Sequence, residues 1–406
     1  MLHKVLILCI SVSLSFYFSA SVYGRYLDGD LNTDCAVNWE DLGLLSSAWL
    51  SADCNDSLDE DCDVDFGDYA VLAKNWLQSL PQFNGMTYHV TNLQDFNSFE
   101  PSIPGSLRYC IAQAAADGVP SRIVFDVNGT IYAHASIVID STNPYLTICG
   151  TTAPGNGITI DFGASAYPHT QGYSGILIGT WNCRLCNLHI TQTKRNTDGV
   201  QIQGSNNIVE RCTMTWCRDE GISVMYGRGN VVAFCRVEYC GSQPGDGSGG
   251  SDGRGMSVFY GGSAIVVGNY FGDNLRGVLC GGYATNNFAD FRNNRVAYNH
   301  QTYGMNVQGN TNAGLMSYAN FISNTIENNT GYGIRYMDGS TFYRGNPNTN
   351  IFINDDENFS GTYTEVFTPI TFADTPYPSW LIGAATPANA GSVGMGSGRC
   401  QCNYCE

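Results

Sequence analysis

Cys212-Thr-Met-Thr-Trp-Cys217, Cys235-Arg-Val-Glu-Tyr-Cys240, Asn269-Tyr-Phe-Gly-Asp-Asn274, Asn294-Arg-Val-Ala-Tyr-Asn299 and Asn324-Thr-Ile-Glu-Asn-Asn329 are copies of one pattern. Each opens and closes on Cys or Asn and carries an apolar residue two places in: Met214, Val237, Phe271, Val296 and Ile326. Cys186, two residues before Leu188, extends the first column backwards, so that it steps by 26, 23, 34, 25 and 30 residues. A repeat of that length with a fixed internal pattern signals a solenoid. One short apolar strand per step, with turn residues between, predicts a parallel β-helix. Asn side chains at one position of each turn hydrogen-bond up and down the column, and Cys fills the same slot as a small apolar group. A β-sandwich would not hold two such columns in phase.

The chain has 406 residues, enough for a large core and a small module. Residues 1–24 read as a secretory signal: His3 and Lys4, an apolar run from Val5, then small residues up to a cleavage point after Ser21 or Gly24. No other apolar run is long enough for a membrane span, so a secreted or cell-surface protein is expected. Sixteen Cys, one of them within the signal, then fall in an oxidising compartment. Strand spacing lets Cys212–Cys235 and Cys217–Cys240 close as disulfides; buried free thiols are the alternative. The tail cysteines Cys400, Cys402 and Cys405 suit disulfides or a loose tail better than a metal. The net charge is -17, of which residues 26–80 carry thirteen acids against one Lys. That balance excludes nucleic acid as a partner and requires cations wherever a polyanion is bound.

Residues 28–50 and 55–77 repeat at an offset of 27: Cys35 with Cys62, Asp41 with Asp68, Leu45 with Leu72, Trp49 with Trp76. Each half is an acidic loop followed by an amphipathic helix. Asp30, Asn32, Asp34, Asn38 and Asp41 fall at the spacing that wraps a loop around one hard cation. In the second loop Asp59, Asp61, Asp65 and Asp68 do the same, but Ser57 opens it, so weaker binding is expected there. The pair resembles a type I dockerin, which implies two Ca2+ ions and a cohesin partner. Cys35 and Cys62 stand where such loops usually carry Gly.

Beyond a linker at 81–87, the β-helix is expected over 88–345, with an irregular segment at 346–406. Leu107, Cys110, Ile111 and Ala114 make one apolar stripe ending at Gly118, a short helix suited to cover the open end of a solenoid. Gly105-Ser-Leu-Arg-Tyr with Ile123-Val-Phe-Asp-Val-Asn-Gly-Thr-Ile131, and then Leu146-Thr-Ile with Gly150-Thr-Thr-Ala-Pro-Gly155, resemble the opening coils of the pectate lyase superfamily. Cys212-Thr-Met-Thr-Trp216 with Asp219-Glu220 is similar to its central coil. The resemblance covers roughly residues 88–300 and implies a right-handed parallel β-helix acting on acidic plant or algal polysaccharide.

Such enzymes cleave a uronan by β-elimination. Calcium on carboxylates acidifies the C5 proton of the sugar, and a cation meets the charge that forms. The resemblance puts calcium ligands at Asp198 and Glu220 with Asp219 beside them; the latter two lie 21 and 22 residues after Asp198, close to one turn on. Arg276 falls where the family carries its arginine-rich catalytic segment. Family accounts make an Arg the base; because Arg stays protonated, stabilising the enolate is the role physics favours. Val278, Leu279 and Cys280 replace the Pro and further Arg expected there. Arg254 is a second catalytic candidate, and Arg218 and Lys194 are candidates for binding substrate. Gly241 to Gly255 form a Gly-rich insertion beside this site. Asn196-Thr-Asp-Gly, Asp219-Glu220 and Gly253-Arg-Gly255 also resemble polygalacturonase motifs, with Arg254 where those hydrolases carry His. Three readings follow: a calcium-dependent uronan lyase, a polygalacturonase-type hydrolase, and a β-helix that binds glycan without cutting it.

Overall fold

A computed structural model describes residues 39–47, 65–74, 85–95, 103–163, 174–193, 197–241, 253–282, 286–309, 313–344, 348–359 and 363–370. The chain divides after Gln82 into two compact units. The signal segment, Asp30, Asn32, Asp34, Asn38, Asp59, Asp61, Lys194 and the three tail cysteines lie outside the described residues.

In the first unit, helices Trp39–Ser47 and Phe66–Lys74 stand at the 27-residue offset of the repeat. Leu45 and Leu72 are their matched buried residues, and Asp41 is also buried. Asp65 accepts a hydrogen bond from the Gly67 N–H at 2.5 Å.

The second unit is three parallel sheets of eleven, nine and nine strands. The chain visits them in turn, so each coil adds one strand to every sheet. The first sheet runs from Met86–Val90 to Tyr363–Glu365, the second from Gly129–Tyr132 to Ile351–Ile353, and the third from Ile137–Ile139 to Glu357–Phe359. Strands therefore continue past the boundary expected near residue 345. One apolar column fills the interior from Val90 to Phe342. Helix Leu107–Asp117 buries Leu107, Cys110, Ile111 and Ala114, the stripe read from the sequence. Ser106 caps its start, and Gly118, at φ 63°, ends it by donating its N–H to the Ala114 carbonyl.

The Asn columns hold the corners. Asn294 Nδ2 donates to Val266 O at 2.8 Å and Asn324 Oδ1 at 3.0 Å, while its own Oδ1 accepts Asn269 N and Nδ2. Asn274, Asn299 and Asn329 repeat this at the next corner. The residue before each rung's Asn or Cys takes left-handed backbone, as at Asn293 and Tyr298. That turns the chain sharply and aims the next side chain inward. A third column, outside the two-column Cys and Asn pattern, runs through Cys183, Asn207 and Asn230: Cys183 N donates to Asn207 Oδ1, and Asn207 N to Asn230 Oδ1.

One expectation is corrected, and one open choice is decided. Cys186 is not on the first column: it pairs in register with Glu210, whereas His189 pairs with Thr213, so Leu188 is the residue level with Cys212. Cys186 lies against Cys149, their sulfurs 3.3 Å apart. Cys212, Cys217, Cys235 and Cys240 are free buried thiols and do not bridge. Burial pushes the Cys212 thiol up to about 12, which keeps it protonated and inert.

Candidate functional site

The third sheet carries the charged residues in a line. Register pairs Val200 with Ile222, Ile222 with Met256, and Val278 with both Met256 and Met305. Two positions earlier stand Asp198, Glu220, Arg254, Arg276 and Tyr303, one per rung, Glu220 just before its strand and the others at the first place of theirs. Arg254 pairs directly with Arg276, and Tyr303 with Tyr332. The motif is legible once aligned: Asp198-Gly-Val-Gln-Ile, Glu220-Gly-Ile-Ser-Val, Arg254-Gly-Met-Ser-Val, Arg276-Gly-Val-Leu-Cys, Tyr303-Gly-Met-Asn-Val. Its Gly column is imposed by packing. A Cβ on Gly221 would sit 2.1 Å from Val237 Cγ1, and one on Gly277 1.7 Å from Gly304 O. With the second residue pressed against the interior, the first is turned outward, and so is the fourth.

First and fourth positions then bond diagonally across rungs. Asp198 Oδ2 accepts from Ser223 Oγ on the next rung and from Gln201 Nε2 at 3.2 Å. Its Oδ1 accepts the Glu220 backbone N–H at 3.2 Å. Glu220 Oε1 accepts from Ser257 Oγ at 3.0 Å and from Arg254 Nη1 at 2.7 Å. Arg254 Nε donates to the Tyr303 hydroxyl at 3.2 Å, reaching two rungs along the column. Ser223, Ser257, Gln201 and Tyr303 were not singled out in the sequence; the x-Gly-apolar-x-apolar repeat is the signal that marks them.

Asp198, Asp219 and Glu220 offer ligand atoms that all lie within 4.8 Å of one another. Asp198 and Glu220 are buried, Asp219 is half-buried. Burial and the neighbouring Glu220 and Asp219 carboxylates push the Asp198 carboxyl well above its usual range. Three hard oxygen donors that repel one another fit a calcium-sized cation by their chemistry. Arg276 is half-buried on the column, and Arg218 is half-buried on the turn leading to Glu220. Asp68 lies on its helix, its side chain outside the description. His189 sits on the second sheet, its Nε2 2.8 Å from Thr215 Oγ1, and burial lowers its pKa. No helix among the described residues is long and apolar enough to cross a membrane.

The three sheets and the corner columns together define a parallel β-helix. The family model described as "Right handed beta helix region" matches residues 174–356. A protein named "Probable pectate lyase C" from Aspergillus terreus is 26% identical over 277 residues, covering 66% of this chain and 56% of the relative. Its namesake from Aspergillus fumigatus is 27% identical over 269 residues, covering 65% and 54%. The chain thus spans about half the length of these curated relatives. Among solved structures, the pectate lyase Pel9A is similar at 16% identity and a TM-score of 0.46, covering 75% of this chain and 82% of that one. The cedar pollen allergen jun a 1 is similar at 13% and 0.44, covering 87% and 99%.

Proposed function

We propose that the β-helix is a calcium-dependent lyase that cleaves pectate or a related uronan by β-elimination. The observation that carries this reading is the column itself: acids on two consecutive rungs, Asp219 completing a three-carboxylate group, and arginines on the following two. The named activity of the curated relatives points the same way. Asp198, Asp219 and Glu220 would hold the calcium ion, which when bound engages the uronate carboxylate and acidifies the C5 proton. Arg276, a cation on the same column, would face the negative charge that develops on the sugar as the C5 proton passes to solvent water and the C4–O bond breaks to leave the unsaturated end. Arg254 positions: its guanidinium is shared between Glu220 and Tyr303.

The spacing of the acids disfavours the hydrolase reading. Inverting hydrolysis needs carboxyls about 6.5–9.5 Å apart, with room for a water; here the acid oxygens lie within 4.8 Å. The proposal extends to export of the chain and to residues 26–80 as a dockerin-like module binding Ca2+ for a cohesin partner. The matched helices at the 27-residue offset support the module, and the apolar run at residues 5–19 supports export.

Incubation with polygalacturonate, with calcium or with chelator, tests the reading. Calcium-dependent ends absorbing in the ultraviolet are expected. New reducing ends without that absorbance mean a hydrolase, and retention without products means a binder.

A further inference from the structure

An open cleft of about 520 Å³ lies near the N-terminal end of the coils, lined by Leu93, Gln94 and Asp95 on one side and Thr130, Tyr132 and His134 on the other. Its back wall is tied in place. The Asp95 carboxylate is buried and accepts Arg108 Nε at 2.6 Å, Arg108 Nη2 at 3.2 Å and the His134 backbone N–H at 2.8 Å. Arg108 also donates to Ser136 O at 2.8 Å. The one acid lining the cleft, Asp95, is therefore charge-compensated. Tyr132 is 56% exposed. An exposed phenol ring in a cleft that also holds hydroxyl, amide and imidazole groups offers a pyranose an apolar face to stack on and polar groups for its hydroxyls.

The position of the cleft gives it meaning. Tyr132 is in register with Asp161, and Asp161 with Thr191, on the second sheet. Thr191 leads through Thr193 and Thr197 into Asp198. His134 thus occupies the same corner of the coil, two rungs before Asp198. At a rung spacing of about 4.8 Å the cleft stands roughly 10 Å along the axis from the first acid of the charged column.

We propose that this cleft is a distal subsite for the acidic polysaccharide of the column, with Tyr132 as its stacking platform. The inference rests on the reading of the column as a uronan site. A strand lying along the helix axis occupies both places; an oligomer short enough to stay on the column does not reach Tyr132.

The test is calorimetric binding of oligogalacturonide trimer and hexamer, in calcium, to the full chain and to Tyr132→Ala and Tyr132→Phe. Tyr132→Ala is expected to weaken the hexamer about tenfold and leave the trimer unchanged, because one ring contact is lost. Tyr132→Phe, which keeps the ring, holds wild-type affinity. Equal hexamer affinity of Tyr132→Ala and wild type overturns the proposal, as does an equal loss for both oligomers. Unchanged melting of Tyr132→Ala, expected for an exposed side chain, shows the fold intact. Absence of binding by the wild type overturns this inference together with the reading beneath it. Tyr132-dependent binding without unsaturated products sustains the cleft and sinks the lyase.

Discussion

Replacing Arg254 by Met removes a charge and keeps most of an aliphatic stem, so the change isolates the ion pair from packing. The Arg254 and Glu220 side chains are only 11% and 6% exposed, and their contact is 2.7 Å. At an effective dielectric of about 20, unit charges some 4 Å apart attract by roughly 4 kcal/mol. Without Arg254, Glu220 keeps Ser257 as a donor but faces the carboxylates of Asp198 and Asp219 without that guanidinium against it. Breaking one side of such a buried pair costs about 3–5 kcal/mol. Arg236 supplies an internal control: it pairs with Glu238 but is 42% exposed, so Arg236→Met should cost about 0–1 kcal/mol. Urea denaturation in chelator measures both. The double variant Glu220→Gln, Arg254→Met should recover part of the loss, since residue 220 no longer carries an uncompensated charge, giving a coupling of about 1–3 kcal/mol. If Arg254→Met costs no more than Arg236→Met, or the two site substitutions simply add, Arg254 is not the clamp that holds Glu220.

Other perturbations reach different parts of the molecule. The native Asp198 carboxyl, raised above its ordinary 3.8, holds its proton to higher pH than in the unfolded chain. In chelator, stability should therefore fall as pH rises from that value towards the raised one, and Asp198→Asn should flatten the slope; an unchanged slope in urea melts at stepped pH refutes it. Gly277→Ala forces a Cβ to within 1.7 Å of Gly304 O; a loss above about 3 kcal/mol is expected, and wild-type melting would contradict the packing. Asn294→Ala strips two donated and two accepted hydrogen bonds from a corner with no exposure. Leaving Val266 O and Asn269 N unpaired should cost about 3 kcal/mol, read by thermal melting; a near-neutral result would mean that the corner re-pairs.

How far the sequence reaches depends on whether a feature repeats within one coil or arises between coils. The Asn columns and the capping helix were legible because the same side chains recur at a short fixed distance from an apolar strand, and each does its work within one or two rungs. Cys186 misled for the same reason: its spacing to Leu188 imitates the column, yet the left-handed residue at that corner is Asn187, which makes Leu188 the inward residue and leaves Cys186 on the opposite face. The site divides likewise. Asp198 and Glu220 are one ordinary turn apart, and their stacking could be counted. Arg254 meets Tyr303 across 49 residues, because corner lengths vary and a long side chain skips a rung. No period in the sequence encodes such a contact. What does encode it is the glycine at the second place of each strand. A residue without a side chain there presses the chain inward and turns its neighbour out, so the letter before each such glycine of the third sheet spells the outer column from Ser174 to Tyr332: Ser, Asp, Glu, Arg, Arg, Tyr, Tyr. Read that way, the acids, the arginines and the tyrosines are one line of chemistry, in which Arg254 is the joint between the carboxylates and the aromatic end.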